Sequence, residues 1–205
     1  MPPYALPLAF VIAAYLVGSL SFAVIVSRAM KMADPRSYGS GNPGATNVLR
    51  SGKKLAAVLT LLGDTLKAVV VVLAAKVADL PDPWLAAVAV AVTLGHMWPV
   101  FFRFLGGKGV ATAAGVLLTL DWRLGLATVT VWLAMAAVTR ISSLAAIVAA
   151  VAAPIACYLL LPGRPALFGA VLLIAALLIQ RHKRNLLNLL AGTEGKIGEK
   201  AKAEE

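Results

Sequence analysis

A chain of 205 residues that is 60% hydrophobic and 14% charged, with mean hydropathy +0.87, is too apolar for a water-soluble domain. The net charge of +10 would suggest a nucleic-acid partner, but no soluble domain remains to carry one, and membrane topology accounts better for the excess of Lys and Arg. One cysteine, Cys157, lies inside an apolar run, and two histidines with few clustered carboxylates offer no metal site.

In chain order, the first apolar run covers 4–27 and is long enough to cross a bilayer with some tilt. It lacks the basic start and small-residue cleavage pattern of a signal peptide, so a retained span is expected. Arg28 and Lys31 close it, and residues 38–50, YGSGNPGATNVLR, follow. A second span is expected over 55–80, entered past Lys53 and Lys54. After Pro81-Asp82-Pro83 the run 84–94 is short, and Gly95-His96-Met97-Trp98-Pro99 is expected to break it. The loop 100–109 carries Arg103 and Gly106-Gly107-Lys108-Gly109. Then come a short segment over 110–120, a tight turn at Asp121, a returning span over 122–139 and a polar link, Arg140 to Ser143. Spans over 144–161 and 166–179 flank the turn Pro162-Gly163-Arg164-Pro165, and the tail from Gln180 is polar and basic.

The expected fold is therefore all-α: one polytopic membrane domain, 1–205, with about seven hydrophobic helices, two of them too short to span alone. Short segments interrupted by Gly and Pro beside polar loops often line an internal site. The last stretch, GKIGEKAKAEE, reads as a solvated end.

Strict alternation places the N-terminus outside and the tail inside. Fifteen Lys and Arg then fall on the inner side, against Lys76, Arg123 and Arg164 on the other. That asymmetry predicts a cytoplasmic C-terminus. It also brings every polar, glycine-bearing stretch except the outer turns to one face.

Three such stretches carry chemistry. In 38–50, Gly39, Gly41 and Gly44 permit a backbone whose N–H groups turn inward to cradle an anion. Ser40 and Asn47 add side-chain donors, and Arg50 a fixed fork suited to phosphate. The literal GxGxxG match there lacks the strand and βαβ unit of a dinucleotide site; a flexible membrane loop is the plainer alternative. In the second, Lys108 is bracketed by Gly106, Gly107 and Gly109 just before a helical segment, where exposed N–H groups and a helix N-terminus favour an anion. An interfacial lysine after a loose turn is the alternative there. In the third, His182 and Asn185 are three apart and would share a helix face, with Glu194 following in Gly192-Thr193-Glu194. A basic cluster binding anionic headgroups is equally compatible with that run. Asp64 and Lys67, at helical spacing within a span, form either a buried pair anchoring the bundle or part of a functional cavity. His96 reads as a ligand, a base or a hydrogen-bonded residue at a helix end.

Together, SGNPGATNVLR, GH…FLGGKGVAT and H-x-x-N…GTE resemble the bacterial acyl-phosphate:glycerol-3-phosphate acyltransferases (the PlsY type), in motif order and across nearly the whole chain. The resemblance implies acyl transfer from acyl-phosphate to the 1-hydroxyl of glycerol 3-phosphate, releasing phosphate and lysophosphatidate, at the cytoplasmic face of a bacterial inner membrane. It implies no cofactor and no metal. Partners would be the two substrates, membrane lipids and a soluble enzyme that makes acyl-phosphate. By similarity Ser40, Arg50, Lys108, Ser143 and Asn185 would hold phosphate groups, with Asn47, His96, Gly41, Gly107 and Glu194 in support. Ser40, His182 and Asn185 would serve catalysis. His182 would orient substrate or accept a proton, a substrate phosphate being the other acceptor. The family commonly has an arginine three residues after the tail asparagine; here Asn188 stands there. The His-x4-Asp of the acyl-CoA-dependent acyltransferases is absent, since Phe101 and Leu187 occupy the fifth position after each histidine.

Two other classes compete. A small transporter of a phosphate-like anion would place broken helices at midplane, but its halves should echo each other and no second GSGNPG-like loop is present. A lipid-binding scaffold would need neither the glycine loops nor their convergence.

Overall fold

A computed structural model describes residues 2 and 4–199. Its helices are α1 (Ala5–Gly18), α2 (Phe22–Ala29), α3 (Ala45–Leu49), α4 (Lys54–Val77), α5 (Asp82–Met97), α6 (Val110–Leu120), α7 (Trp122–Thr139), α8 (Ser142–Leu160), α9 (Pro165–Arg181) and α10 (Lys183–Leu190). No strand occurs among the described residues. A 3-10 turn, Val100–Phe102, follows α5. The protein is an integral membrane helix bundle. Among the described residues, four helices are long and apolar enough to cross a bilayer, and up to six spans result if the bent pairs α1–α2 and α9–α10 each count as one. The outward face of α4, with Leu59, Leu62, Leu66, Val70 and Leu73, is exposed as a lipid-facing surface requires.

Helix α5 is the axis of the bundle, packing against α1, α4, α6 and α9. Its Leu85, Val88, Ala89, Val92 and Met97 are buried. Two expectations change here. The run 84–94 is not a short segment: α5 continues through Gly95, His96 and Met97 and ends only before Pro99, so that with the 3-10 turn it covers 21 residues. Gly95 is helical because it lets backbones meet: a Cβ there would collide with the Tyr15 carbonyl, and one on Gly18 with that of Val92. Conversely, the first run is broken, α1 and α2 meeting at 45°. Of the two segments expected to be short, only α6 is.

Side-chain hydrogen bonds start α7 and tie neighbouring helix ends together. Asp121 caps α7, its carboxylate accepting from the Arg123 and Leu124 N–H groups at 2.8 and 3.3 Å. Hydrogen bonding from the Arg123 side chain holds that carboxyl down at about 2. At the same end of the bundle Arg164 pairs with Asp82, and Lys76 donates to the Thr119 carbonyl at 2.8 Å. The glycine-bearing loops and the tail gather at the other end. The tail is not free from residue 195 onward, because the Ile197 N–H donates to the Arg140 carbonyl at 2.7 Å. Lys200 and Lys202, counted among the tail cations, lie outside the described residues.

Candidate active site

Asn47 organises the first loop from the short helix α3. It is buried, its Nδ2 donates to the carbonyls of Pro35 and Tyr38 at 2.7 and 3.1 Å, and its Oδ1 accepts from the Ser40 N–H and Oγ at 2.9 and 3.2 Å. Gly39 and Gly41 adopt left-handed φ of 60° and 67°, as such a tight loop demands. The expected cradle of inward N–H groups does not form at Ser40, Gly41 or Gly44. Their N–H groups are spent on Asn47 Oδ1, the Tyr38 carbonyl and the Asn42 carbonyl. Asn47 is likewise committed to the loop rather than offered as an anion donor. A buried donor must be paired, and a compact loop pairs its donors internally. The Ser40 hydroxyl is engaged in the same way, donating to Asn47 Oδ1 at 3.2 Å.

The second loop leaves the 3-10 turn through two consecutive non-glycine residues in the left-handed region, Arg103 and Phe104, with φ of 54° and 60°. Strain of this kind persists where surroundings enforce it. The Gly107 N–H donates to the His96 carbonyl at 3.1 Å, so this N–H too is unavailable to an anion. Arg181 clamps the segment from the other side. Its Nη2 donates to the Gly106 carbonyl at 2.8 Å and its Nε to that of Gly107 at 3.2 Å, while its guanidinium lies 5.4 Å over the Trp98 ring. Thus held, the loop projects Lys108, whose Nζ donates to Asn185 Oδ1 at 2.6 Å. Burial pushes the Lys108 ammonium down to about 8; Glu194 opposes that shift, while Arg50, Arg181 and Arg184 add to it.

The tail supplies a carboxylate hub. Glu194 Oε1 accepts from Asn185 Nδ2 at 2.6 Å and from Ser143 Oγ at 2.7 Å, and Oε2 accepts from Asn188 Nδ2 at 3.2 Å. Asn188 therefore docks the tail. The α3 helix joins the same cluster through a 3.1 Å hydrogen bond between Thr46 Oγ1 and Ser142 Oγ. The Arg50 guanidinium lies against Gly195, 3.0 Å from where a Cβ would sit. His182 sits at the 56° hinge between α9 and α10, immediately before the first turn of α10 and three residues before Asn185. Buried there, its Nδ1–H donates to the Leu178 carbonyl at 2.7 Å, which leaves Nε2 as its basic nitrogen.

Between the loops lies a cleft of about 470 Å³ whose lining pairs Ser40, Lys108, Arg181 and Arg184 with the apolar Phe104 and Leu105. Of the expected site residues, Ser40, Gly41 and Lys108 line it, and Ser143, Asn185 and Glu194 form the adjoining network, bridged to it by Lys108. His96 lies beneath the second loop, with Gly107 packed directly on it. Arg181 and Arg184 were read only as part of a basic run. An arginine directly before the tail histidine, where the last span ends among glycine loops, was the available signal for Arg181. The cleft lining combines basic with apolar side chains, as a site joining a phosphorylated polar molecule to a fatty chain requires.

The sequence model of the family described as glycerol-3-phosphate acyltransferase matches residues 8–192. A glycerol-3-phosphate acyltransferase of Chromobacterium violaceum is 58% identical over 199 residues, covering 95% of this chain and 97% of the relative. One from Neisseria meningitidis serogroup C is 60% identical over 190 residues, covering 91% and 94%. The crystal structure of PlsY, an integral membrane glycerol 3-phosphate acyltransferase, in its glycerol 3-phosphate form superposes with a TM-score of 0.89 at 39% identity, covering 95% of this chain and 96% of that one. The lysophosphatidic acid form gives 0.87 at 38% identity, covering 95% and 97%. Matched in sequence and in fold over nearly its full length, this chain belongs to the PlsY family of glycerol-3-phosphate acyltransferases.

Proposed function

We propose that the protein transfers a fatty acyl group from acyl-phosphate to the 1-hydroxyl of glycerol 3-phosphate, at the cytoplasmic face of a bacterial inner membrane. The observation that carries this reading is the amphiphilic cleft, lined by Lys108, held on Asn185, together with Ser40, Arg181, Arg184, Phe104 and Leu105. Both reactants bear phosphate, and one also bears an acyl chain that belongs in lipid.

In the step proposed, the hydroxyl oxygen attacks the acyl carbonyl carbon and a C–O ester bond forms. The C–O bond to phosphate breaks, and the electron pair leaves with inorganic phosphate. A mixed anhydride is already activated, so orientation and stabilisation of developing negative charge can supply the catalysis without a protein nucleophile. Lys108, Arg50 and Ser40 are assigned to the phosphates, and Asn185 and Ser143 to the adjoining network. The hydroxyl proton has two acceptors in this scheme, His182 Nε2 and a phosphate oxygen; retention of turnover by His182→Asn would select the phosphate. Orientation rests on charge, since alternation of the spans along the sequence puts fifteen Lys and Arg on the inner side against three on the other.

The test is purified protein in detergent with glycerol 3-phosphate and either acyl-phosphate or acyl-CoA. Lysophosphatidate and inorganic phosphate are expected in equal amounts from the first donor. Turnover with the thioester alone would overturn the donor assignment.

A further inference from the structure

Beneath the second loop lies a charged cluster that the proposed chemistry does not use. Lys67 is buried inside the bundle, and three acceptors surround its Nζ: the Leu20 carbonyl at 2.7 Å, Asp64 Oδ1 at 2.8 Å and His96 Nδ1 at 3.0 Å. The Leu20 carbonyl is at the break between α1 and α2, where helical hydrogen bonding is interrupted. His96 Nδ1 also lies 3.4 Å from Asp64 Oδ1, but a charged Lys67 ammonium at 3.0 Å has only donors to offer, so toward it Nδ1 accepts and the imidazole proton is assigned to Nε2.

That nitrogen is turned toward the loop. A Cβ on Gly107 would collide with His96 Nε2 and come within 3.1 Å of the Pro43 carbonyl, so the imidazole edge sits at the seam between the two glycine loops. A Cβ on Gly106 would collide with the His96 carbonyl, the same carbonyl that accepts the Gly107 N–H. Asp64 extends the cluster to the helix beyond the loop, its carbonyl accepting from Thr112 Oγ1 of α6 at 3.1 Å. Ring and backbone of His96 thus form the floor on which Gly106 and Gly107 rest, and Lys108 projects from the next residue.

Resting on the reading of Lys108 as a phosphate-binding residue, we propose that Lys67 and His96 are positioning residues for it. The ammonium fixes the tautomer and plane of the imidazole, and the imidazole fixes the loop. A pair serving only to anchor the bundle would need Asp64 and Lys67 alone. Burying ions stabilises little over apolar residues of equal volume, whereas a directional ion pair can enforce one geometry. Here the third proton of Lys67 is aimed at the residue that templates the loop.

The test compares His96→Gln with His96→Leu. Glutamine keeps an acceptor for Lys67 and an N–H for the loop; leucine keeps neither. Both are then made in an Asp64→Asn/Lys67→Met background, which removes the pair without stranding a charge. Readouts are kcat and KM for glycerol 3-phosphate, calorimetric binding of glycerol 3-phosphate without donor, and thermal melting. With Lys67 present, His96→Leu is expected to lose about 100-fold in kcat/KM, as misplacement of a binding group does. Loss of glycerol 3-phosphate binding should accompany it, with melting shifted no further than for His96→Gln, which stays within about tenfold of the parent. In the pair-free background the two should become equal. A His96→Leu protein that binds glycerol 3-phosphate like the parent overturns the proposal, as does an undiminished Gln–Leu difference without Lys67. If the pair-free protein does not fold, the comparison with Lys67 present decides alone. Calorimetry needs no donor, so a wild type that binds glycerol 3-phosphate yet ignores acyl-phosphate would refute the donor assignment and leave this test standing.

Discussion

Lys108 Nζ lies 2.6 Å from Asn185 Oδ1, a bond between residues 77 apart that ties the second glycine loop to the amphipathic helix α10. Asn185 spends its amide on Glu194, so its carbonyl is turned to the lysine. The pair fixes the ammonium at the edge of the cleft.

Lys108→Met should therefore cost about 2–5 kcal/mol in kcat/KM, the range for leaving a buried charged partner unpaired. Asn185→Leu should cost less, and the double variant less than the sum, because the two act through one bond. Steady-state kinetics of the four proteins checks this.

Activity should fall as pH rises through about 8, where burial has brought Lys108. The cationic form grips phosphate, and it is lost above that value. A bound dianionic phosphate favours the charged form, so the fall should appear in kcat/KM, which reports the free enzyme, and move to higher pH in kcat. Lys108→Arg, charged at all accessible pH, should flatten the alkaline limb of the profile.

Gly107→Ala should abolish most activity, because its Cβ would collide with the His96 ring near the Pro43 carbonyl. Gly169→Ala in α9 is the control. Nothing lies within 4 Å of a Cβ there, and helix propensity predicts a gain of up to about 1 kcal/mol. Gly169→Ala should thus melt no lower than the parent and keep parental activity, whereas Gly107→Ala loses activity.

Gly95→Val should lower stability by about 1–3 kcal/mol through overpacking. Its side chain would enter the space held by the Tyr15 carbonyl at the α1–α5 contact. The check is thermal melting in detergent, with activity falling in step with the folded fraction.

Much of the site was legible beforehand because glycines and cations stand in contiguous runs: Ser40, Gly41 and Lys108 were singled out and all line one cleft. The backbone cradle was misread at Ser40, Gly41, Gly44 and Gly107, whose N–H groups bond within the protein. Whether an N–H faces a ligand or its own loop depends on where Asn47 and His96 place their acceptors, and no local pattern states that. Gly95 was misread for a related reason. As a helix breaker or a contact point it is the same residue, and only the neighbouring Tyr15 carbonyl chooses between them.

Composition alone determined that this chain lives in a membrane, because so apolar a polymer has no other solvent, and motif order alone pointed to its family. Tertiary structure decided how remote residues meet: that Lys67 reaches His96, that Arg181 holds Gly106, and that Glu194 gathers Ser143, Asn185 and Asn188. Hydrogen bonds act over about 3 Å whatever the separation in sequence, so partners this far apart along the chain become known only once the helices are packed.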